Sequence, residues 1–78
     1  MKKWEVTHGA NKIEVENSIS GEKLYVNGEL QDEQIGMVAG RSRLWGQLDS
    51  GEIIKVSLGG DVKIHCSIFV NNKLVLSE

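Results

Sequence analysis

Apolar side chains recur at every second position through most of this chain, in short runs broken by glycine. Trp4 and Val6 alternate with Glu5 and Thr7, and Ile13 and Val15 with Glu14 and Glu16. The longest run sets Val62, Ile64, Cys66, Ile68 and Val70 against Lys63, His65, Ser67 and Phe69. A strand sends successive side chains to opposite faces, so a period of two marks strands with one buried and one open face. No segment carries a helical stripe. Val and Ile supply 15 residues, as suits a pleated surface. Proline is absent, and most of the nine glycines fall between the runs, where they supply the turns.

The pattern predicts strands near 3–8, 12–17, 22–27, 29–34, 42–48, 53–58, 62–70 and 73–77. Eight short strands with closely spaced turns indicate an all-β fold, an antiparallel β-sandwich joined by hairpins. The apolar, glycine-broken stretch from Ile35 to Gly40 reads as a crossover loop between two sheets. With 78 residues, the chain forms a single domain spanning 1–78. Its core is thin at this size, and one cysteine, Cys66, cannot make an internal disulfide. Self-association is the natural supplement.

Turn chemistry fixes two registers. Val26-Asn27-Gly28-Glu29 is a strong signal for a two-residue type I′ hairpin, and Val70-Asn71-Asn72-Lys73 is a poorer copy. Such turns pair Tyr25 with Leu30 and Phe69 with Leu74, on the faces opposite Val26 and Val70. Keeping Ile54, Val56 and Leu58 on the face of Val62, Ile64 and Cys66 requires an odd loop, here Gly59-Gly60-Asp61. The two hairpins match at an offset of 44, whereas Lys12-Ile13 matches Lys63-Ile64 at 51. Convergent hairpin chemistry therefore accounts for the likeness without a duplication.

Trp4-Glu5-Val6, the turn at Gly9, Lys12-Ile13-Glu14-Val15-Glu16, Gly21 and Tyr25-Val26-Asn27-Gly28 together resemble the sandwich domains of the Fas apoptotic inhibitory molecule family. The resemblance spans roughly Met1 to Leu30; beyond it the strand rhythm agrees, with few counterparts to the family's aromatic-rich central strands. It implies an antiparallel sandwich that acts through protein contacts and carries no catalytic residues. The plan is similar to that of small stand-alone microbial proteins as well.

The residues offer little chemistry. Nine basic against eleven acidic residues lack the cationic excess of a nucleic-acid binder, and there are four aromatics in all. Met1-Lys2-Lys3 is followed by no apolar signal core, and no run approaches a bilayer span, so a cytoplasmic protein is expected. Cys66 and His65 point to opposite faces and form no dyad, which leaves Cys66 as a core residue. His8, His65 and Cys66 lack metal-site spacing, and Asp49-Ser50-Gly51-Glu52 is a polar hairpin turn too short for calcium. Asp32 and Glu33 diverge on a strand, and Gly36 and Gly40 open no phosphate loop. No enzyme, cofactor or metal is expected.

One surface stands out. With Leu44 and Leu48 facing the core, Arg41, Arg43, Trp45 and Gln47 face outward, joined by Ile53, Lys55, His65 and Phe69 and by Leu74 beside Phe69. Three readings remain open: a homodimer interface, a groove for a peptide, carbohydrate or other small ligand, or the sandwich core itself. A single-stranded nucleic-acid platform on Arg41, Arg43, Trp45 and Phe69 is disfavoured by the net charge. The expected function is a non-enzymatic protein-interaction or self-associating module, a homodimer or a binder of another protein. The alternative is a ligand-binding module using the Trp45/Phe69 face. Of the 78 residues, 39 are apolar or glycine. They split so evenly between strand faces that part of them is expected to serve a second buried surface.

Overall fold

The computed structural model describes residues 1–36, 41–60 and 63–78, with Arg41 described by its backbone. Its strands are β1 (Lys2–His8), β2 (Asn11–Ser18), β3 (Gly21–Val26), β4 (Glu29–Ile35), β5 (Arg41–Gln47), β6 (Ile53–Gly59), β7 (His65–Val70) and β8 (Lys73–Ser77). They form two four-stranded antiparallel meanders, β1-β2-β3-β4 and β5-β6-β7-β8, packed as a sandwich. The step from β4 to β5 changes sheet, as the expected crossover requires, although residues 37–40 of that loop lie outside the described residues.

Period two does what its pattern demands. The first sheet turns Trp4, Ile13, Val15, Leu24 and Val26 inward. The second turns Leu44, Ile54, Val56, Leu58, Cys66, Ile68 and Val70 to meet them, with Leu48 just beyond β5. All are buried, and Val6, Ile64, Val75 and Leu76 pack at the margin. Full burial of such side chains is worth about 1.5–3 kcal/mol each, which makes this one shared layer the main source of stability.

Both hairpins take the expected turn. Asn27 and Gly28 have φ of 51° and 83°, and Asn71 and Asn72 have 48° and 65°. Tyr25 pairs with Leu30 and Phe69 with Leu74. The Asp49–Glu52 segment is a turn, closed by the Gly51 N–H donating to the Leu48 carbonyl at 2.9 Å. The connection from β6 to β7 differs from expectation. Leu58 pairs with Cys66 rather than Val62, so the loop is residues 60–64 and β7 begins at His65. Five residues keep the odd parity, and Leu58 and Cys66 do share the core face. Gly60 occupies a position that only glycine fills: its φ is 150°, and a Cβ there would collide with the Lys63 carbonyl oxygen. Asp61 and Val62 themselves lie outside the described residues.

The two sheets correspond strand for strand. Each has its third hairpin bulged at one place, between Leu24 and Tyr25 in the β3–β4 pairing and between Ile68 and Phe69 in the β7–β8 pairing. Each pins that hairpin to its second strand with the turn asparagine. The Asn27 Oδ1 accepts from the Lys12 N–H and the Asn27 N–H donates to the Lys12 carbonyl, at 2.9 and 2.8 Å. Asn71 makes the same two bonds to Ile53, both at 2.9 Å. The structural counterpart of Lys12-Ile13 is thus Ile53-Ile54 and not Lys63-Ile64; the offset of 51 compared the wrong strands.

A buried polar link joins the sheets at one end. Glu22 shares the inward parity of Leu24 and is buried, accepting from Asn17 Nδ2 at 2.9 Å and from the Ser42 hydroxyl across the interface. A buried carboxylate needs such partners to remain there.

Candidate functional site

The outward face of the second sheet is built in cross-strand rows. Directly opposed residues on an antiparallel pair point the same way, so each row spans the sheet. One row is Trp45, Lys55, Phe69 and Leu74, and the next is Arg43, Ser57, Ser67 and Ser77. Ile53 and Gln47 continue the face on one side, and His65 and Gly59 on the other. Arg41 begins β5 opposite Gly59. Of the expected surface residues, Arg43, Trp45, Ile53, His65, Phe69 and Leu74 therefore fall on one face. This excludes the reading in which that face is the core: Trp45 is 51% exposed, Leu74 56% and Ile53 43%.

The corresponding rows of the first sheet show what is unusual here. There the matching positions are Glu5, Glu14, Tyr25 and Leu30, followed by Lys3, Glu16, Lys23 and Glu33. Charges of both signs alternate and pair, Lys3 with Glu14 at 2.8 Å and Lys12 with Glu5 and Glu14 at 3.6 and 3.8 Å. The hydrogen bond and charge of Lys3 hold the Glu14 carboxyl below its ordinary range, and Glu14 raises Lys3 in return. That is an ordinary solvated face. On the second sheet Trp45 stands where the first has Glu5, Lys55 where it has Glu14, and serines replace Glu16, Lys23 and Glu33.

Electrostatics follow from the replacement. Among the described residues the second sheet's outer face carries Arg43 and Lys55 and no carboxylate. Of the carboxylates flanking it, Glu52 lies 3.4 Å from His8 of β1, Glu78 pairs with Cys66 on the core side of the sheet, and Asp32 at the β5 edge accepts from the Trp45 N–H. The Lys55 ammonium sits 4.8 Å above the Phe69 ring, a cation–π contact that holds both side chains against the sheet. At the His65 end, Gly59 brings no side chain to the outer face. A hollow of about 420 Å³ opens there, lined by Ser57, Leu58, Gly59, Gly60, His65 and Ser67.

Two other candidates resolve as structural. Cys66 is buried, and burial, with a smaller contribution from Glu78 and Glu22, pushes its thiol up to about 12, far from a nucleophile's range. Trp4 is buried in the core as a β1 anchor. Among the described residues no three His, Cys, Asp or Glu side chains converge on a metal-sized site, and no helix is long and apolar enough to cross a membrane. Sequence reading missed the serine row and the hollow. Parity with Lys55 and Phe69 places Ser57 and Ser67 on this face, but small hydroxyl residues give no signal until the strands are in register.

Comparison with models of known protein families, with curated proteins and with solved structures finds no match to this chain.

Proposed function

We propose that the chain is a non-enzymatic protein-interaction module whose contact surface is the outer face of β5–β8. The observation that carries this reading is the contrast between equivalent rows. One sandwich displays Glu5-Glu14-Tyr25-Leu30 on one side and Trp45-Lys55-Phe69-Leu74 on the other, in a common backbone geometry. Trp, Phe and Arg are enriched at interface cores, where a few rigid side chains carry most of the binding free energy. A half-exposed Trp45 is costly to leave in water when the equivalent position of the first sheet tolerates Glu5. The implied kinship of residues 1–30 with a sandwich family that acts through protein contacts supports the same reading, as does the placement of Cys66 in the core. The module works in the cytoplasm, where the Cys66 thiol stays reduced.

The test is photo-crosslinking in cells from a reactive side chain placed at position 45 and, in a second variant, at position 5 on the equivalent row. A discrete crosslinked protein from position 45 that is absent from position 5 is expected. Equal patterns from both positions, or none from 45, would overturn the assignment. Light scattering on the purified chain distinguishes a second copy from another protein as the captured species.

A further inference from the structure

The character of the occupant can be read from this face, on the footing that it is an interaction surface. We propose that it takes an extended, acidic segment of a partner protein running along the strands, with apolar residues over Ile53 and the Trp45 row and carboxylates over Arg43 and the Ser57–Ser67–His65 hollow. Charge complementarity is the first argument. The described charges on the face, Arg43 and Lys55, are both positive, and they appear in none of the ion pairs among the described residues, which join Lys3, Lys12 and His8 to Glu5, Glu14 and Glu52. Serine hydroxyls and a histidine ring are donors suited to a carboxylate that Arg43 attracts.

Spacing supplies the second argument. Successive rows on one face of a strand lie two residues apart, about 6.8 Å. An extended partner segment repeats its own side chains at the same interval. Laid along the strands, it sets one side chain over Ile53, the next but one over the Trp45 row, the next over Arg43 and the serines, and a fourth over the hollow. The face therefore selects two apolar residues and two acidic residues at alternate positions, in either chain direction.

Other occupants fit less well. A second copy related by a two-fold axis would meet this face with the same face, bringing two sets of positive charges together with no carboxylate of the face to answer them. Single-stranded nucleic acid needs open rings for stacking, and Lys55 lies over the Phe69 ring.

The experiment uses the full chain and labelled peptides in fluorescence polarisation. The probes are Leu-Thr-Leu-Thr-Glu-Thr-Glu, its reverse, and counterparts with lysine or glutamine in place of glutamate. At least one acidic peptide is expected to bind at least about tenfold more tightly than both counterparts, and more weakly as salt rises. Trp45→Glu is expected to abolish this binding. Arg43→Glu with Lys55→Glu is expected to reject the acidic peptide and accept the lysine one. Circular dichroism confirms that each variant folds, and Lys55→Gln replaces the double variant if that one does not, with about tenfold weaker acidic binding expected. Tighter binding of the glutamine or lysine peptide to the unmodified face overturns the acidic partner while leaving the interaction surface standing. Stronger binding of oligothymidylate, or a concentration-dependent dimer broken by Trp45→Glu, also overturns it. Peptide binding indifferent to Trp45→Glu, or none at all, removes the acidic partner, and it removes the surface too where position 45 yields no crosslink in cells.

Discussion

The amide of Gln31 clasps the backbone of Gln47 from both sides, its Oε1 accepting from the Gln47 N–H at 3.0 Å and its Nε2 donating to the Gln47 carbonyl at 3.2 Å. Asp32 completes the contact by accepting from the Trp45 N–H at 2.8 Å. Side chains of β4 thereby occupy three of the backbone groups that β5, an edge strand, would otherwise offer to a neighbour. Unpaired strand edges are templates for aggregation, so this clasp closes one side of the sandwich and also orients the strand that carries Trp45 and Arg43.

Gln31→Ala removes both bonds at an exposed site and is expected to lower stability by about 1 kcal/mol. Urea unfolding followed by circular dichroism reads this as a lower midpoint with an unchanged slope. Light scattering on warming should show earlier association than in the parent chain, because the β5 edge is uncovered. A midpoint equal to the parent's would show that the clasp holds nothing.

Gly46 of β5 packs tightly against the first sheet. A Cβ there would come 3.0 Å from Leu24 Cδ2 and 3.1 Å from Gln31 Oε1. Gly46→Ala is therefore expected to cost about 1–3 kcal/mol by overpacking. The companion Gly21→Ala has no room to relax, since its φ is 140° and its Cβ would meet the Gln34 carbonyl. Thermal melts should rank the three chains as parent, Gly46→Ala, Gly21→Ala, and a Gly21→Ala variant as stable as the parent would contradict the backbone geometry.

The second hairpin uses Asn where the first uses Gly. Asn72 holds φ of 65° at the position Gly28 fills at 83°. Asn72→Gly is expected to stabilise by about 0.5 kcal/mol, the relief of left-handed strain less the extra freedom of glycine in the unfolded chain. A raised melting temperature checks it, and a lowered one would mean that the Asn72 side chain contributes more than its backbone costs.

Cys66 gives a pH signature. Its folded thiol is pushed up to about 12, above the ordinary 9.0 of the unfolded chain. Between those values the unfolded state has lost the proton and the folded state keeps it. Stability therefore falls as pH rises through that window, with a slope of at most about 1.4 kcal/mol per unit. Urea midpoints at a series of alkaline pH values, compared with Cys66→Ala, should show a steeper decline in the parent. A thiol reagent at neutral pH should label Cys66 in denaturant and spare it in the native protein.

Backbone architecture was legible because it depends on local rules. Alternation located all eight strands, and the Asn-Gly and Asn-Asn turns set the pairing of Tyr25 with Leu30 and Phe69 with Leu74. The start of β7 was not legible, since Val62 and Ile64 continue the alternation in sequence while the pairing with β6 ends at Gly59 and His65. Eight of the expected surface residues share a face, because parity along β5, β6 and β7 assigns seven of them to one side once Leu44 is inward and the β7–β8 hairpin adds Leu74.

What the sequence determined by itself was the period of two, the turns and hence an antiparallel sandwich, because side-chain alternation and positive φ are properties of a few consecutive residues. Tertiary structure decided the rest. It showed which of two apolar faces is the core, that Glu22 and Ser42 join the sheets, and that Gln31 seals the β5 edge. It set Trp45 in one row with Phe69 and Leu74, 24 and 29 residues further along the chain. Those relationships join residues distant in sequence, and they exist only once strand order and sheet packing bring them together.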